Sequence, residues 1–309
     1  MRAIRIHSFG GPDVLRVETL PDPQPGPDEM LVKILAASVN PVDYKIRNGG
    51  YPAVKDDKLP YTLGRDVAGV VERCGDRISR FKRGDAIYAM LGIDRGGFSE
   101  YAIVKDGEAA PKPARLDFIA AAAVPLAGLT AWQGLFRHGG LEAGQAVLIH
   151  AGAGGVGHLA IQFAKARGAH VVTTVSEQHA DFVRRIGADE VIDYKRQRFE
   201  ELVHDVDMVL DLIGGETQER SFQVLREGGI LVSTLAAPSQ HEARAHKVRA
   251  TRFTVQESGT ELAEIGRLIA AGKVTPKVAR QFNLGDAVAA ETLVEEGHTE
   301  GKVVLRVAA

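Results

Sequence analysis

The sequence predicts an α/β protein in which a doubly wound parallel sheet is inserted into a domain built mostly of short strands. Three observations carry this. Residues 1–115 read as short strands separated by turn chemistry, residues 116–272 alternate strands with helices, and residues 273–309 return to short strands around one helix. Strand–helix alternation marks a parallel sheet, because each parallel strand needs a crossover connection, whereas short strands joined by turns mark an antiparallel or barrel-like domain. The last segment is most simply a return to the first domain.

In order along the chain, Arg2 to Ile6 alternates in strand fashion, and Gly10, Gly11 and Pro12 mark a turn before a short strand at Leu15 to Glu18. The proline-rich PDPQPGP, Pro21 to Pro27, is neither helix nor central strand and leads into MLVKILAASVN, Met30 to Asn40. Further strands fall at Val67 to Glu72, Ala86 to Ala89 and Ser99 to Val104, with turn-forming CGDRI, FKRGD and DRGG between elements. After Pro113, the alanine-rich DFIAAAAVPLAGLTAWQGLFRHGGL reads as helix, interrupted by Pro125 and closed by Gly139 and Gly140. Strands at Val147 to His150, His170 to Val175, Glu190 to Asp193 and Met208 to Ile213 then alternate with helices running to Gly168 and Gly187. A helix over Thr217 to Leu225, strands in ILVSTL and ATRFTV, and an amphipathic helix over Leu262 to Ala271 complete about six strands, a full Rossmann sheet.

Inside that sheet, VLIHAGAGGVG, Val147 to Gly157, runs a buried strand straight into glycines at G-x-G-x-x-G spacing, Gly152, Gly154 and Gly157. The following LAIQFAKARGA has apolar residues at helical period. Strand, tight turn and helix in this order are the context a dinucleotide site requires, since side chains in the turn would keep a pyrophosphate away from the amides at the helix start. Gly152, Ala153, Gly154, Gly155, Val156 and Gly157 are therefore expected to bind the cofactor. An NAD site places an acidic side chain about 20 residues past the turn, on the ribose 2′-hydroxyl. Here the strand VVTTV ends at Ser176, whose short neutral hydroxyl leaves room for a 2′-phosphate, although Glu177 follows. NADPH is the expected cofactor.

Composition narrows the function. With 38 Lys and Arg against 40 Asp and Glu, the chain has no global basic field, so neither nucleic acid nor an anionic membrane is an expected partner. Cys74 is the single cysteine, which excludes an internal disulfide and any multi-cysteine zinc site. The ten histidines show no paired ligand spacing, and no Ser-His-Asp arrangement can be argued. No apolar run of about 18 residues occurs, and cytoplasmic residence is the expectation.

Several stretches resemble the medium-chain dehydrogenase/reductase superfamily: SVNPVDYKIRNG (Ser38 to Gly49), PYTLGRDVAGVV (Pro60 to Val71), GDAIYA (Gly84 to Ala89), GGFSEYAIV (Gly96 to Val104), PLAGLTAW (Pro125 to Trp132) and GHTEGKVVL (Gly297 to Leu305). The best match is the zinc-independent quinone oxidoreductase branch, which implies a GroES-like fold for the β-rich domain. Zinc alcohol dehydrogenases have a cysteine ligand where this chain has Asn40, and Gly-His-Glu where it has Gly64-Arg65-Asp66. No metal is expected, because an aspartate alone cannot build the usual zinc site.

The resemblance implies NADPH-dependent reduction of a quinone or an α,β-unsaturated carbonyl. Asn40 and Tyr44 match a stretch bordering the nicotinamide pocket in relatives, and their amide and phenol are suitable neutral donors for a developing oxyanion. Asp43 and Arg47 are expected to pair at i, i+4 and steady that segment. Ser176 and Tyr194 are implied phosphate contacts, with His179 or Lys195 replacing a basic side chain the branch often supplies, and Thr130 and Lys302 are implied cofactor contacts. Tyr51, Phe98 and Phe253 are candidates to line an apolar substrate pocket. The branch often forms homodimers by sheet extension, for which ILVSTL and ATRFTV supply strands. A zinc-free alcohol or enoyl-thioester oxidoreductase and a non-enzymatic NADPH-binding sensor remain as alternatives.

Overall fold

A computed structural model of the chain describes residues 1–297 and 299–307; His298, within the GHTEGKVVL stretch, and residues 308–309 of the final segment lie outside the described residues. In chain order the strands are β1 (Arg2–Ile6), β2 (Arg16–Thr19), β3 (Glu29–Val39), β4 (Tyr61–Thr62), β5 (Asp66–Cys74), β6 (Ala86–Met90), β7 (Tyr101–Lys105), β8 (Ala109–Pro111), β9 (Ala146–His150), β10 (His170–Val175), β11 (Glu190–Asp193), β12 (Val206–Asp211), β13 (Leu225–Ser233), β14 (Arg249–Arg252), β15 (Val278–Asn283) and β16 (Lys302–Arg306). The helices are α1 (Pro41–Arg47), α2 (Phe118–Ala122), α3 (Pro125–Trp132), α4 (Gly157–Arg167), α5 (Ala180–Arg185), α6 (Gly215–Arg220), α7 (Gln240–Ala245), α8 (Gly259–Ala270) and α9 (Ala287–Glu296).

Two compact units form. The first comprises Met1–Leu126, Glu257–Ala270 and Pro276–Ala309, and the second Ala127–Gln256 with Ala271–Thr275. The first unit holds a seven-stranded sheet in the order β15-β16-β3-β5-β6-β8, with β7 also on β3, and a small sheet of order β2-β1-β4. Its centre is β3, which pairs antiparallel with β5, β7 and β16. Register shifts at Leu31/Val32 and Ile34/Ala36 bend this strand, as bulges do, so that one strand can serve three neighbours. Met30, Val32, Ile34, Phe98, Val303 and Leu305 pack in the core beneath it.

The second unit is a six-stranded parallel sheet in the order β11-β10-β9-β12-β13-β14. In strand sequence this is 3-2-1-4-5-6, the doubly wound order, with its switch point at β9 and β12. The centres of both strands, Val147 to Ile149 and Met208 to Leu210, are continuous apolar runs because both sheet faces are covered; Val147, Leu148, Ile149, Val209 and Leu210 are fully buried.

The division differs from the expected one in three places, the smallest being residues 273–275, which fall in the second unit. The first unit extends to Leu126, because α2 packs its alanines against β3 and β5. The amphipathic α8, expected in the segment 116–272, belongs to the first unit: it lies on β8, and the buried Tyr88 hydroxyl donates to the Leu262 carbonyl at 2.6 Å. An apolar face of Leu262, Ile265 and Ile269 fits any core of suitable shape, so periodicity reveals the helix without revealing which core receives it. Among the described residues no helix is long and apolar enough to cross a membrane.

Candidate functional site

In the second unit, β9 delivers the chain to Ala151, which has a left-handed backbone (φ 55°), and α4 begins at Gly157. A side chain at Gly152 would place its Cβ 2.0 Å from Thr173 Oγ1, and one at Gly157 would sit 2.2 Å from the Ala151 carbonyl oxygen. These two glycines let the helix pack close to the strands. At Gly154 the nearest atom is the Ala151 oxygen at 3.3 Å, so the packing demand there is weaker. The turn thus has the division of labour a pyrophosphate site needs: close packing at its ends and bare backbone in the middle, at a helix N-terminus. Ala153, Gly155 and Val156 complete it.

Ser176 follows β10 and Tyr194 follows β11, and the Tyr194 N–H donates to the Val175 carbonyl at 3.1 Å, which brings the two together at one end of the sheet. Ser176 occupies the N-cap position of a short 3-10 turn, yet its side chain makes no cap hydrogen bond. Tyr194 is half exposed, and Arg196 beside it lies 4.0 Å from Glu177. His150, fully buried, links Thr174 Oγ1 and Ser221 Oγ at 3.0 Å each, and burial pushes it down to about 4, so it is neutral at pH 7. Asp211 at the end of β12 accepts from Ile213 N, Gly214 N, Gln218 Nε2 and Ser233 Oγ, fixing the loop after the switch-point strand. Thr130 is buried in α3.

A second polar cluster lies in the first unit, where β3 ends and α1 begins. Asn40 is the N-cap of α1, and its N–H donates to Asp43 Oδ2 at 2.7 Å in a capping box. Its Nδ2 donates to Asp66 Oδ2 at 2.8 Å and to the Ser38 carbonyl at 3.3 Å, while its Oδ1 accepts from Lys302 Nζ. Asp66 also accepts from Ser38 Oγ (2.7 Å) and Leu126 N (2.7 Å), with Lys302 Nζ at 3.9 Å. Burial pushes Asp66 up and Lys302 down from their ordinary values, and each opposes the other's shift. Asp43, wholly buried, is raised to about 7, chiefly by desolvation.

This geometry departs from several expectations. Asn40 is 1% exposed with both ends of its amide engaged, so it is a structural clamp in this arrangement. Lys302, expected as a cofactor contact, donates within the first unit to the Val39 carbonyl (3.0 Å) and to Asn40 Oδ1. Asp43 and Arg47 do not pair with each other. Asp43 turns back to cap its helix, and Arg47, in the last turn, reaches Glu291 Oε2 (2.7 Å), Glu295 and the Gly10 carbonyl. Of the expected pocket residues, Phe98 is fully buried in the first unit's core, and Phe253 is buried in the second, stacked on His138. Tyr51 is half-buried. Tyr44 remains as an available donor: its ring is partly buried, its hydroxyl makes no hydrogen bond with the described residues, and burial raises its pKa.

The residues do not fit a zinc ion. Among the described residues no group of three or more His, Cys, Asp or Glu side chains is placed to hold a metal. Asp66 has its oxygens committed to protein donors, and the Lys302 ammonium already stands against them. The Asn40–Asp43 box had a local signal, the Asn-x-x-Asp spacing at a helix start, which the expected Asp43–Arg47 pairing passed over. The Lys302–Asn40 and Arg47–Glu291 contacts left no local signal, their partners being 262 and 244 residues apart.

Residues 26–114 match the family model described as alcohol dehydrogenase GroES-like domain, and residues 186–305 the one described as zinc-binding dehydrogenase. The NADPH-dependent alkenal/one oxidoreductase of Arabidopsis thaliana is 37% identical over 317 residues, covering 99% of this chain and 79% of that protein. The structure of the quinone oxidoreductase from Coxiella burnetii superposes with a TM-score of 0.93 at 37% identity, covering 100% of this chain and 99% of that one. That of the Escherichia coli quinone oxidoreductase complexed with NADPH gives 0.91 at 31% identity, covering 99% and 100%.

Proposed function

From the premise that the chain belongs to the medium-chain dehydrogenase/reductase superfamily, in its quinone oxidoreductase branch, we propose that it reduces a quinone or an α,β-unsaturated carbonyl with NADPH and without zinc. The glycine turn carries the cofactor assignment. Gly152 to Gly157 with the start of α4 would receive the pyrophosphate, and the Ser176 hydroxyl, free of any capping bond, with Tyr194 would receive the 2′-phosphate. Thr130 is assigned to the nicotinamide half. The substrate class is supported by the likeness to the alkenal/one and quinone oxidoreductases.

NADPH, when bound, supplies the hydride that reduces an electrophilic carbon. The developing negative charge on the substrate oxygen then needs a donor. Tyr44 fits: its phenol is held in the protonated form by burial, and its hydroxyl has no partner among the described residues. It either passes its proton to the oxygen or holds that oxygen while water does. Asn40 does not touch the substrate in this account; it fixes the start of α1, four residues before Tyr44. A homodimer joined through β14, whose outer edge is unpaired among the described residues, belongs to the same reading.

Tyr44→Phe tests the donor. The variant is expected to bind NADPH as the native protein does and to lose about 100-fold in kcat, a typical contribution of a positioned proton donor. A kcat within twofold of native, about 0.4 kcal/mol against the roughly 2.7 kcal/mol of a 100-fold loss, would remove Tyr44 from the chemistry.

A further inference from the structure

Lys302 opens β16 and is 4% exposed, with its ammonium directed away from solvent. It donates to the Val39 carbonyl at 3.0 Å and to Asn40 Oδ1, and lies 3.9 Å from Asp66 Oδ2. A carbonyl, an amide oxygen and a carboxylate are oxygen ligands of the kind that hold a hard metal cation, and here they face an organic one. Burying an ammonium is costly unless charge and hydrogen bonds compensate it, and here the Asp66 carboxylate and two acceptor oxygens do so.

The arrangement fixes Asn40 without ambiguity. Its Oδ1 faces a cation and its Nδ2 faces a carboxylate; turning the amide over would set like against like at both ends. Asn40 is in turn the residue whose backbone caps α1, through the bond from its N–H to Asp43, and Tyr44 lies in the first turn of that helix. A continuous line of contacts therefore runs from the Lys302 ammonium to the helix start that carries the proposed donor.

We propose that Lys302 is a positioning residue for the reduction, an internal cation standing in place of a metal ion, which orients Asn40 and through it the Tyr44 hydroxyl; the inference rests on the reaction proposed above. Lys302 touches neither substrate nor cofactor in this scheme. Its loss should lower turnover and leave NADPH affinity alone. Arginine should not replace it, because a planar fork cannot occupy a space closed around one compact ammonium.

The test is Lys302→Ala with added methylammonium, which fits the vacated space and carries the same N–H donors. The folded variant is expected to keep its NADPH Kd within about twofold while kcat falls by about 100-fold, the loss a misplaced reacting group brings, with saturable recovery by methylammonium and none by tetramethylammonium. Native turnover in the folded variant would overturn the proposal. So would weakened NADPH binding with kcat retained, which would make Lys302 a cofactor contact, and so would a failure of methylammonium to restore turnover when it does raise the melting temperature. If the single variant does not fold, Lys302→Met combined with Asp66→Asn removes both charges together and avoids a buried unpaired carboxylate. That pair is expected to fold with the same loss of kcat, and native turnover in it would equally overturn the proposal. A native protein that reduces neither quinone nor enal would defeat the reaction assignment separately; methylammonium raising the melting temperature of Lys302→Ala, but not of the native protein, would still support the cation site, and no such rise would overturn it.

Discussion

Glu291 and Asp43 are two buried carboxyls that tie this protein's stability to pH, and Asp66 is raised in the same direction. Glu291 is fully buried; one of its oxygens accepts from Arg47 at 2.7 Å, and the other, Oε1, has no hydrogen-bond partner among the described residues. Arg47 is shared with Glu295, so one guanidinium does not offset the burial, and Glu291 is raised from 4.5 to about 8. Asp43 is raised from 3.8 to about 7. Both groups hold protons in the folded state that the unfolded chain has already released, so stability falls as pH rises from the unfolded values toward the folded ones and levels off above them. Urea unfolding between pH 5 and 8 should therefore show a declining free energy, and Glu291→Gln should make that decline shallower. An unchanged slope in the variant would show that Glu291 is ionised throughout. At this scale the sequence was a partial guide. Asn40 and Tyr44 stood out as donors, but whether a side chain is spent on the protein depends on Asp66 and Lys302, which arrive from distant strands.

The turn from β9 into α4 was the most legible element, because a strand, its turn and its helix are set by contiguous residues. The glycines separate into testable classes. Gly157→Ala brings a Cβ to 2.2 Å from the Ala151 oxygen, so the turn must open, and both melting temperature and NADPH affinity should fall. Gly154→Ala meets only one atom, at 3.3 Å. It should melt within about 4 °C of native, a cost of no more than about 1 kcal/mol, yet bind NADPH at least about tenfold more weakly if the backbone there must approach the pyrophosphate. Native affinity in Gly154→Ala, read by fluorescence titration, would place the pyrophosphate elsewhere. The helix α8 shows where local reading stops. Its apolar stripe was plain, but the core that takes it is chosen by Tyr88 and by β8, more than 140 residues earlier, a separation no periodicity spans.

At the level of the whole molecule, the parallel order 3-2-1-4-5-6 and the seven-stranded sheet built around β3 agree with the fold expected from alternating and non-alternating segments. The bounds between units shifted because alanine-rich helices such as α2 carry little information about their partners. The exposed edge of β14 predicts association: sedimentation should give a dimer, and Ala250→Pro, which places a proline in that edge strand, should shift the mass toward monomer. A native monomer at micromolar concentration would contradict this. Metal-free, NADPH-driven reduction is read from the initial rate of NADPH oxidation with a quinone and with an alkenal, after exhaustive dialysis of the protein against a chelator. Turnover of at least one substrate, undiminished by the chelator and far slower with NADH, is the predicted result. No turnover with either substrate despite tight NADPH binding, or a rate lost to the chelator and restored by zinc, would contradict it.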